Sequence, residues 1–370
     1  MTDQAQHLRT QLLNELTAVG VLRTDEWKAA AGAVARHDFL RGGFFRNAGG
    51  AAWEPVLQDD PGWLEACYRD ESLVTQIAGT ILPQDIRGQI LREPTSSSTL
   101  PSLVLRMLED LQVKPGMHVL EIGTGTGYST AVLATRLGDD LVTSIEYDSD
   151  VAGRAGAALW EQGIHPTLVT GDGLLGHAEG GPYDRIIATC GIKTVPAAWM
   201  EQTQPGGLIL ATIGGWLHAS ELARLTVHED GTASGPLLGG QVSFMLARPQ
   251  SPPPLGLLPD LGAGTERQTG IGADVLDDWT ARFITQFAVP NAQRLMLTRD
   301  GRNEHVLVDV VTGSWAAVYQ DSGQWIARQD GPDLLWDTVE EHLDRWHAAG
   351  KPSVEKGTVT VTDQGQTLTW

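Results

Sequence analysis

The residues whose types and spacing indicate a ligand site lie in the segment HVLEIGTGTGYST, residues 118–130. Gly123, Gly125 and Gly127 alternate with threonines directly after an apolar run that is typical of a buried strand. Glycines in such a turn let a ligand approach the backbone closely, so the segment predicts a binding turn at a strand end. The ligand could be a phosphate, a dinucleotide or another small molecule.

Both phosphate-binding motifs fit this turn poorly. The dinucleotide motif G-x-G-x-x-G requires a glycine where Tyr128 stands, and the P-loop requires a lysine, which is absent between Lys114 and Lys193. An acidic residue two positions before the first glycine, here Glu121, is instead the pattern typical of S-adenosylmethionine sites. We expect the amino-acid end of that ligand to lie on bare backbone N–H groups, with Glu121 holding its ammonium directly or through water.

Acidic residues also end the next two strand candidates. Glu146 ends LVTSIEY, where a carboxylate can accept both ribose hydroxyls, and Asp172 in GDG can accept from the adenine amino group. Ligands of doubly wound sheets bind beyond the carboxyl ends of the strands, so these acids predict one site for S-adenosyl-L-methionine, with S-adenosyl-L-homocysteine as its product. The expected cofactor-binding residues are Glu121, Gly123, Thr124, Gly125, Thr126, Gly127, Glu146, Tyr147, Gly171, Asp172 and Gly173.

The elements that must position these residues are strand candidates separated by helical patterns. They are HVLEI, LVTSIEY, PTLVTGD, YDRIIATC and GLILATI. Their order predicts an α/β fold with a doubly wound, mostly parallel sheet. Together with the expected S-adenosylmethionine site, this is the pattern of the Rossmann-like class I methyltransferase type.

The pattern along the chain predicts four regions. Residues 1–95 form an N-terminal helical and loop region, 96–249 the S-adenosylmethionine-binding domain, 250–264 a Pro- and Gly-rich linker, and 265–370 a strand-rich α+β extension. Six tryptophans of the extension favour a surface that grips the peptide substrate. A dimerisation or purely stabilising role is the alternative, and the oligomeric state stays open.

Composition excludes several classes of function. The 370-residue chain has a formal net charge of −20, which argues against nucleic acid as a partner. It has no apolar run long enough to span a membrane, and its start, MTDQAQHLRT, has no signal-peptide character, so we expect a cytoplasmic protein. The two cysteines and ten histidines show no ligand spacing, so no metal is expected.

Several motifs together resemble the protein-L-isoaspartate O-methyltransferases over residues 25–249. They are VLEIGTGTGYSTAVLA, GDG, PYDRIIATCG, VP at 195–196, QPGGLIL, and the N-terminal segments AVARHDFL and CYRDESLVTQ. The resemblance implies a carboxyl methyltransferase that uses S-adenosylmethionine and acts on a peptide or protein.

The chain departs from that family at TSSSTLPSLV, where the repair enzymes carry Thr-Ile-Ser-Gln-Pro in a loop that closes over the cofactor. Aligned on Pro101, the family's active-site serine becomes Thr99, and its Thr-Ile pair becomes Ser97 and Ser98. This version of the loop is similar to that of the methyltransferases that accompany ATP-grasp ligases in graspetide pathways. The resemblance implies Thr99 and Ser98 as catalytic residues and Ser97 as a cofactor contact.

The reaction implied by this resemblance needs no general base, because an aspartate is already ionised at neutral pH. We expect the Thr99 hydroxyl to orient the acceptor, and Arg36, His37, Thr189 and Trp199 to contact the substrate. The favoured interpretation is methylation of an aspartate in a crosslinked ribosomal peptide, after which the ester closes to an aspartimide. The alternative is repair of damaged proteins at L-isoaspartyl or D-aspartyl residues.

Overall fold

A computed structural model describes residues 2–370, which divide into two compact units. One comprises the chain up to Thr189 together with Pro196–Leu210, and the other comprises Cys190–Val195 and Ala211–Trp370. Among the residues described, no helix combines the length and the apolar character that crossing a membrane requires.

The N-terminal part of the first unit contains a small antiparallel sheet as well as helices. Its elements are α1 (Thr2–Ala18), α2 (Asp25–Ala33), β1 (Phe44–Gly49), β2 (Ala52–Val56), α3 (Trp63–Cys67), β3 (Leu73–Ile77), β4 (Pro94–Ser98) and α4 (Pro101–Asp110). The strand order is β2-β1-β3-β4. The prediction of helices and loops alone was therefore wrong here, and the Ser/Thr-rich segment begins in a strand. Short strands interrupted by Gly-Gly and proline give little periodic signal.

The rest of the first unit contains the predicted parallel sheet. Its elements are β5 (Val119–Ile122), α5 (Tyr128–Leu137), β6 (Val142–Glu146), α6 (Ser149–Glu161), β7 (Thr167–Thr170), α7 (Ala197–Glu201) and the greater part of β8 (Tyr183–Ile192) and of β9 (Thr203–Ile213). Strands β8, β5, β6 and β7 lie side by side and are all parallel. Val119, Leu120 and Ile186 are fully buried in it, as expected for a sheet covered on both faces. This confirms the predicted α/β class.

The second unit contains two groups of antiparallel strands and two helices. Its elements are β10 (Glu221–Val227), β11 (Ala233–Pro236), β12 (Thr265–Gln268), α8 (Trp279–Ala288), β13 (Ala292–Arg299), β14 (Arg302–Asp309), β15 (Trp315–Asp321), β16 (Gln324–Asp330), α9 (Leu335–Ala348), β17 (Thr358–Thr362) and β18 (Gly365–Thr369). One sheet has the order β12-β16-β15-β14-β13. Trp336, Leu343 and Trp346 of α9 are buried in the core that packs against this sheet.

The compact units divide the chain at positions other than the predicted ones. Strand β17 of the predicted extension pairs with β11, which the sequence pattern had assigned to the binding domain. The Pro-rich segment 250–264 lies wholly within the second unit and does not separate the two units. The composition of residues 250–264 correctly indicated an irregular segment. The pairing of β11 with β17 leaves no local signal, because the two strands are far apart in sequence.

Candidate active site

The glycine turn follows β5 and leads into α5. Its entry is fixed because the Gly123 amide donates to the Ile145 carbonyl at 2.8 Å. Gly125 and Gly127 have φ values of +55° and +90°, which favour glycine over residues with a side chain. A Cβ on Gly125 would lie 3.4 Å from the Ser97 carbonyl oxygen, so β4 passes directly over the turn. The turn therefore lies between the parallel strand ends and the Ser/Thr segment.

Glu146 ends β6 beside this turn, as predicted. Its carboxylate accepts the Gly125 amide at 2.9 Å and the Asp148 amide at 3.1 Å, and its side chain is partly exposed. The amides of Gly123, Thr124 and Gly127 also bond within the protein. Among the described residues, Thr126 is the turn residue whose amide makes no such bond. The turn thus presents fewer bare N–H groups than the sequence suggested, and a ligand hydroxyl at Glu146 would compete with the Gly125 amide.

Asp172 lies after β7 on a short 3-10 turn that it caps by accepting the Leu174 amide at 3.0 Å. The next residue requires glycine, because a Cβ on Gly173 would lie 2.5 Å from the Ile122 side chain. The Trp199 indole donates to the Gly173 carbonyl at 2.8 Å and is fully buried. Such burial argues against the predicted substrate contact for Trp199, which instead supports the Asp172 turn.

Glu121 is buried more deeply than a direct ligand contact allows. Its Oε2 accepts from the hydroxyls of Thr130 and Ser144, the latter at 2.8 Å, and the residue has no exposed surface. Burial raises the pKa of its carboxyl, and hydrogen bonds, including one from Ser129, oppose the shift. The other oxygen, Oε1, has no hydrogen-bond partner among the described residues. The expectation of a direct ammonium contact is thus wrong for this conformation, whereas contact through water stays a prediction.

The remaining predicted cofactor residues divide by exposure. The Thr124 hydroxyl lies 2.7 Å from that of Ser144 and is buried, so it supports the turn from below. Tyr147 is half exposed directly after Glu146, where an aromatic ring could cover an adenine. The Gly171 amide donates to the Glu146 carbonyl at 2.9 Å, which ties the second and third strand ends together.

The hydroxyls of the Ser/Thr segment differ in their access to a substrate. Ser98 is 2% exposed and its Oγ accepts from the Arg36 guanidinium at 3.3 Å, so the predicted catalytic contact through Ser98 is wrong in this conformation. Thr99 is partly exposed, and its hydroxyl makes no hydrogen bond within residues 2–370. Ser97 pairs with Val74 of β3 and turns its carbonyl toward Gly125. Ser97 and Thr99 are both partly exposed, so Thr99 stays the predicted group for orienting an acceptor and Ser97 the predicted cofactor contact.

Arg36 does not face solvent as a substrate contact would. It is 1% exposed, and its guanidinium donates only to protein oxygens, among them the carbonyls of Ser98 and Thr99. Burial lowers the pKa of the guanidinium, and Coulombic interactions, including that with Asp70, oppose the shift. The predicted substrate role of Arg36 is therefore wrong, because its N–H groups are hydrogen-bonded to oxygens of the protein.

His37 and Thr189 also have partners within the protein. The Nδ1 of His37 lies 2.7 Å from the Tyr68 hydroxyl, and burial lowers the pKa of the imidazole. The Thr189 hydroxyl donates to the carbonyls of Ile122 and Gly123, where it fixes the end of β5. Both side chains are partly exposed, so contact with a substrate stays a prediction.

Sequence reasoning missed a polar chain that links the Ser/Thr segment to Glu146. The Thr95 hydroxyl donates to the Gln76 side chain at 2.8 Å, and Gln76 donates to Asp148 at 3.3 Å. Asp148 caps α6 and donates its amide to Glu146. An acid before a helical pattern is a cap signal that could have identified Asp148, whereas nothing local marks Gln76.

A cleft of about 260 Å³ opens beside the turn, and Ser96, Gly125 and Thr126 contribute to its wall. Glu146 and Asp172 are not in its lining, whereas Gly125 and Thr126 belong both to the cleft wall and to the predicted cofactor turn.

Sequence comparisons identify similarity over part of the chain. A family model described as Protein-L-isoaspartate(D-aspartate) O-methyltransferase matches residues 71–239. The protein-L-isoaspartate O-methyltransferase of Pyrococcus horikoshii is 37% identical over 133 residues, which are 36% of this chain and 60% of that protein. The enzyme of that name from Thermotoga maritima is 39% identical over 123 residues, 33% of this chain and 39% of that protein. The chain thus spans at most about three fifths of these two relatives.

A comparison of structures covers nearly the whole chain. A solved structure described as a protein-L-isoaspartate O-methyltransferase aligns with 98% of this chain and 99% of its own, with a TM-score of 0.59 and 22% identity. At that identity the match shows the fold alone, over a length that includes the predicted extension. The chain therefore has a Rossmann-like methyltransferase fold and, over residues 71–239, the sequence character of the protein-L-isoaspartate O-methyltransferases.

Proposed function

We propose that the chain is an S-adenosyl-L-methionine-dependent O-methyltransferase that esterifies an aspartyl-derived carboxylate of a peptide or protein. The observation that carries the proposal is the alignment of Glu146 and Asp172 at the ends of neighbouring parallel strands, beside a glycine turn. The similarity of residues 71–239 to the isoaspartate methyltransferases supports it.

The residues present fit a ligand with a ribose diol, an adenine and an amino-acid end. Glu146 and Asp172 offer partly exposed carboxylates to hydroxyl and amino donors. The unpartnered Oε1 of Glu121 leaves an acceptor below the turn that a water beneath an ammonium would satisfy. When bound, the cofactor supplies a methyl group on a sulfonium centre.

The chain's own residues need only orient the acceptor and keep water out. An aspartyl carboxylate is ionised at neutral pH, so no side chain has to remove a proton from it. The Thr99 hydroxyl, which is partly exposed two residues beyond Ser97, donates a hydrogen bond to the acceptor and fixes its direction. With a net charge of −20, the chain does not attract an acidic substrate at long range, so local donors of this kind decide binding.

Two acceptors are compatible with this site. The comparisons favour an L-isoaspartyl or D-aspartyl carboxylate, because the family model and the relatives carry that name and the solved structure of that name shares the whole fold. The departure at Ser97, Ser98 and Thr99 favours the second candidate, an aspartate in a crosslinked ribosomal peptide whose ester closes to an aspartimide.

Mass spectrometry distinguishes these acceptors. The enzyme is incubated with S-adenosyl-L-methionine and either an isoaspartyl peptide, a linear precursor peptide or its crosslinked form. Methylation of generic isoaspartyl peptides supports the first candidate. Gain of one methyl followed by loss of methanol on the crosslinked peptide alone supports the second. No ester on an isoaspartyl peptide or on either precursor form contradicts the proposal.

A further inference from the structure

We infer that Arg36 is a positioning residue that holds the turn carrying Thr99, so that the hydroxyl meets the acceptor carboxylate; this inference rests on the proposed function. The first observation is the number of oxygens that one buried guanidinium binds. Its Nη1 donates to the carbonyls of Cys67 and Arg69 at 3.0 and 3.1 Å. Its Nη2 donates to those of Glu71, Ser98 and Thr99 at 2.9, 3.2 and 3.1 Å.

These oxygens belong to two segments that are distant in sequence from Arg36 and from each other. One is the 67–71 loop between α3 and β3, and the other is the turn from β4 into α4 at residues 98–99. A planar guanidinium carries five donors in a fixed fork, so it sets the mutual orientation of both segments. A lysine offers three donors from a single point and cannot reproduce that fork.

The same loop binds the turn again just beyond Thr99. The Ser72 hydroxyl accepts the Leu100 amide at 3.0 Å, and Asp70 accepts the Ser102 amide at 2.8 Å. The backbone on both sides of Thr99 is therefore anchored to protein, whereas the Thr99 hydroxyl has no partner within residues 2–370. An anchored backbone with an available hydroxyl is the arrangement expected of a group that must meet a substrate in one direction.

The Arg36 guanidinium is buried among neutral oxygen acceptors. Within the described part of the chain, no carboxylate is hydrogen-bonded to Arg36, although the residue is 1% exposed. Burying a charge against neutral oxygens is costly, so the bonds that tie the two segments together must offset that cost.

The test compares Arg36→Lys with Arg185→Lys. Arg185 is also buried and also donates to three backbone carbonyls, those of Leu111, Gln112 and Asp184, away from Thr99. For Arg36→Lys we expect kcat/KM for the acceptor to fall roughly 100-fold, because a displacement of about 1 Å has that effect on a positioned group. For Arg185→Lys we expect a lower melting temperature with kcat/KM within about twofold of wild type. Both variants should keep the wild-type Kd for S-adenosyl-L-homocysteine within about twofold.

A double-mutant cycle shows whether Arg36 acts through Thr99. In a Thr99→Val background, Arg36→Lys should cause no further loss of kcat/KM. The variant Thr99→Ser keeps the hydroxyl, so its kcat/KM should stay within several-fold of wild type. Ser72→Ala disturbs the same turn and leaves Arg36 in place. It replaces Arg36→Lys in the cycle if that variant does not fold. Its smaller loss should likewise vanish in the Thr99→Val background. The inference would be overturned if the losses of kcat/KM from Arg36→Lys and Thr99→Val multiplied in the double variant. It would also be overturned if Arg36→Lys and Arg185→Lys lost equal amounts of kcat/KM.

Hydrogen exchange separates a failure of this inference from a failure of the proposed function. In Arg36→Lys, the Leu100 and Ser102 amides should exchange at least tenfold faster than in the wild type. In Ser72→Ala, the Leu100 amide should do the same. In Arg185→Lys, both amides should exchange at the wild-type rate. If the wild-type enzyme esterifies no carboxylate, the proposed function fails and the exchange rates alone judge the anchoring. Unchanged exchange at both amides in Arg36→Lys would overturn the role of Arg36 even if the wild-type enzyme is active.

Discussion

Replacing Glu146 by glutamine should weaken cofactor binding without unfolding the site. In the structure the two carboxylate oxygens accept the Gly125 amide at 2.9 Å and the Asp148 amide at 3.1 Å. The side chain is therefore already oriented, and a ribose diol would add donors to the same oxygens. Glutamine keeps one acceptor oxygen but replaces the other with a donor and removes the charge.

The expected size of the effect follows from the bonds that change. Loss of about one charge-assisted hydrogen bond removes roughly 1.5–3 kcal/mol. This corresponds to a roughly 10- to 150-fold larger Kd for S-adenosyl-L-homocysteine. Isothermal titration calorimetry with that product measures the Kd without turnover.

Glu161→Gln provides a control matched in charge. Glu161 lies at the end of α6, is exposed and pairs with Arg41 at 2.5 Å. Exposed pairs of this kind contribute about 1 kcal/mol or less, so the Kd should stay within about twofold of wild type. A Glu146→Gln protein that melts cooperatively and binds the product within twofold of wild type would refute the assignment of Glu146 to the ribose.

Three further predictions concern other parts of the same unit. Trp199→Phe leaves the buried Gly173 carbonyl without its donor, so urea unfolding should show a free energy of unfolding lower by about 1–3 kcal/mol. An unchanged free energy of unfolding with a raised KM for the peptide would instead restore the substrate role of Trp199. Thr99→Val should lower kcat/KM for the acceptor roughly 10- to 150-fold at constant Kd for S-adenosyl-L-homocysteine, and equal activity would exclude its hydroxyl from the reaction. Burial lowers the pKa of His37, so the unfolded state binds more protons and the free energy of unfolding should fall as pH drops below about 6.5; His37→Gln should flatten that slope between pH 5 and 8, and an unchanged slope would contradict it.

The parallel sheet was predictable because buried parallel strands are nearly continuous apolar runs. HVLEI and YDRIIATC became β5 and β8, and the acids after the strands fell at the sheet edge where ligands of such folds bind. The small sheet at residues 44–98 was not predictable in this way. Its strands are five or six residues long, and glycines and prolines within and between them gave the pattern of a loop.

The candidate site was predictable in position but not in the direction of its side chains. The sequence identifies Glu121 and Ser98, yet both are turned into the protein, and only their spatial neighbours decide this. For Arg36, the sequence alone would suggest a solvated charge, because arginines are mostly exposed. Its burial depends on carbonyls more than thirty residues away, which no local pattern contains.

A crystal structure of the chain with S-adenosyl-L-homocysteine tests most directly whether the strand-end acids hold the cofactor. We expect the ribose hydroxyls within hydrogen-bonding distance of Glu146, the adenine amino group at Asp172, and the Gly125 amide released from the carboxylate. A ligand bound elsewhere, with the bond between Gly125 and Glu146 intact, would contradict the proposed site.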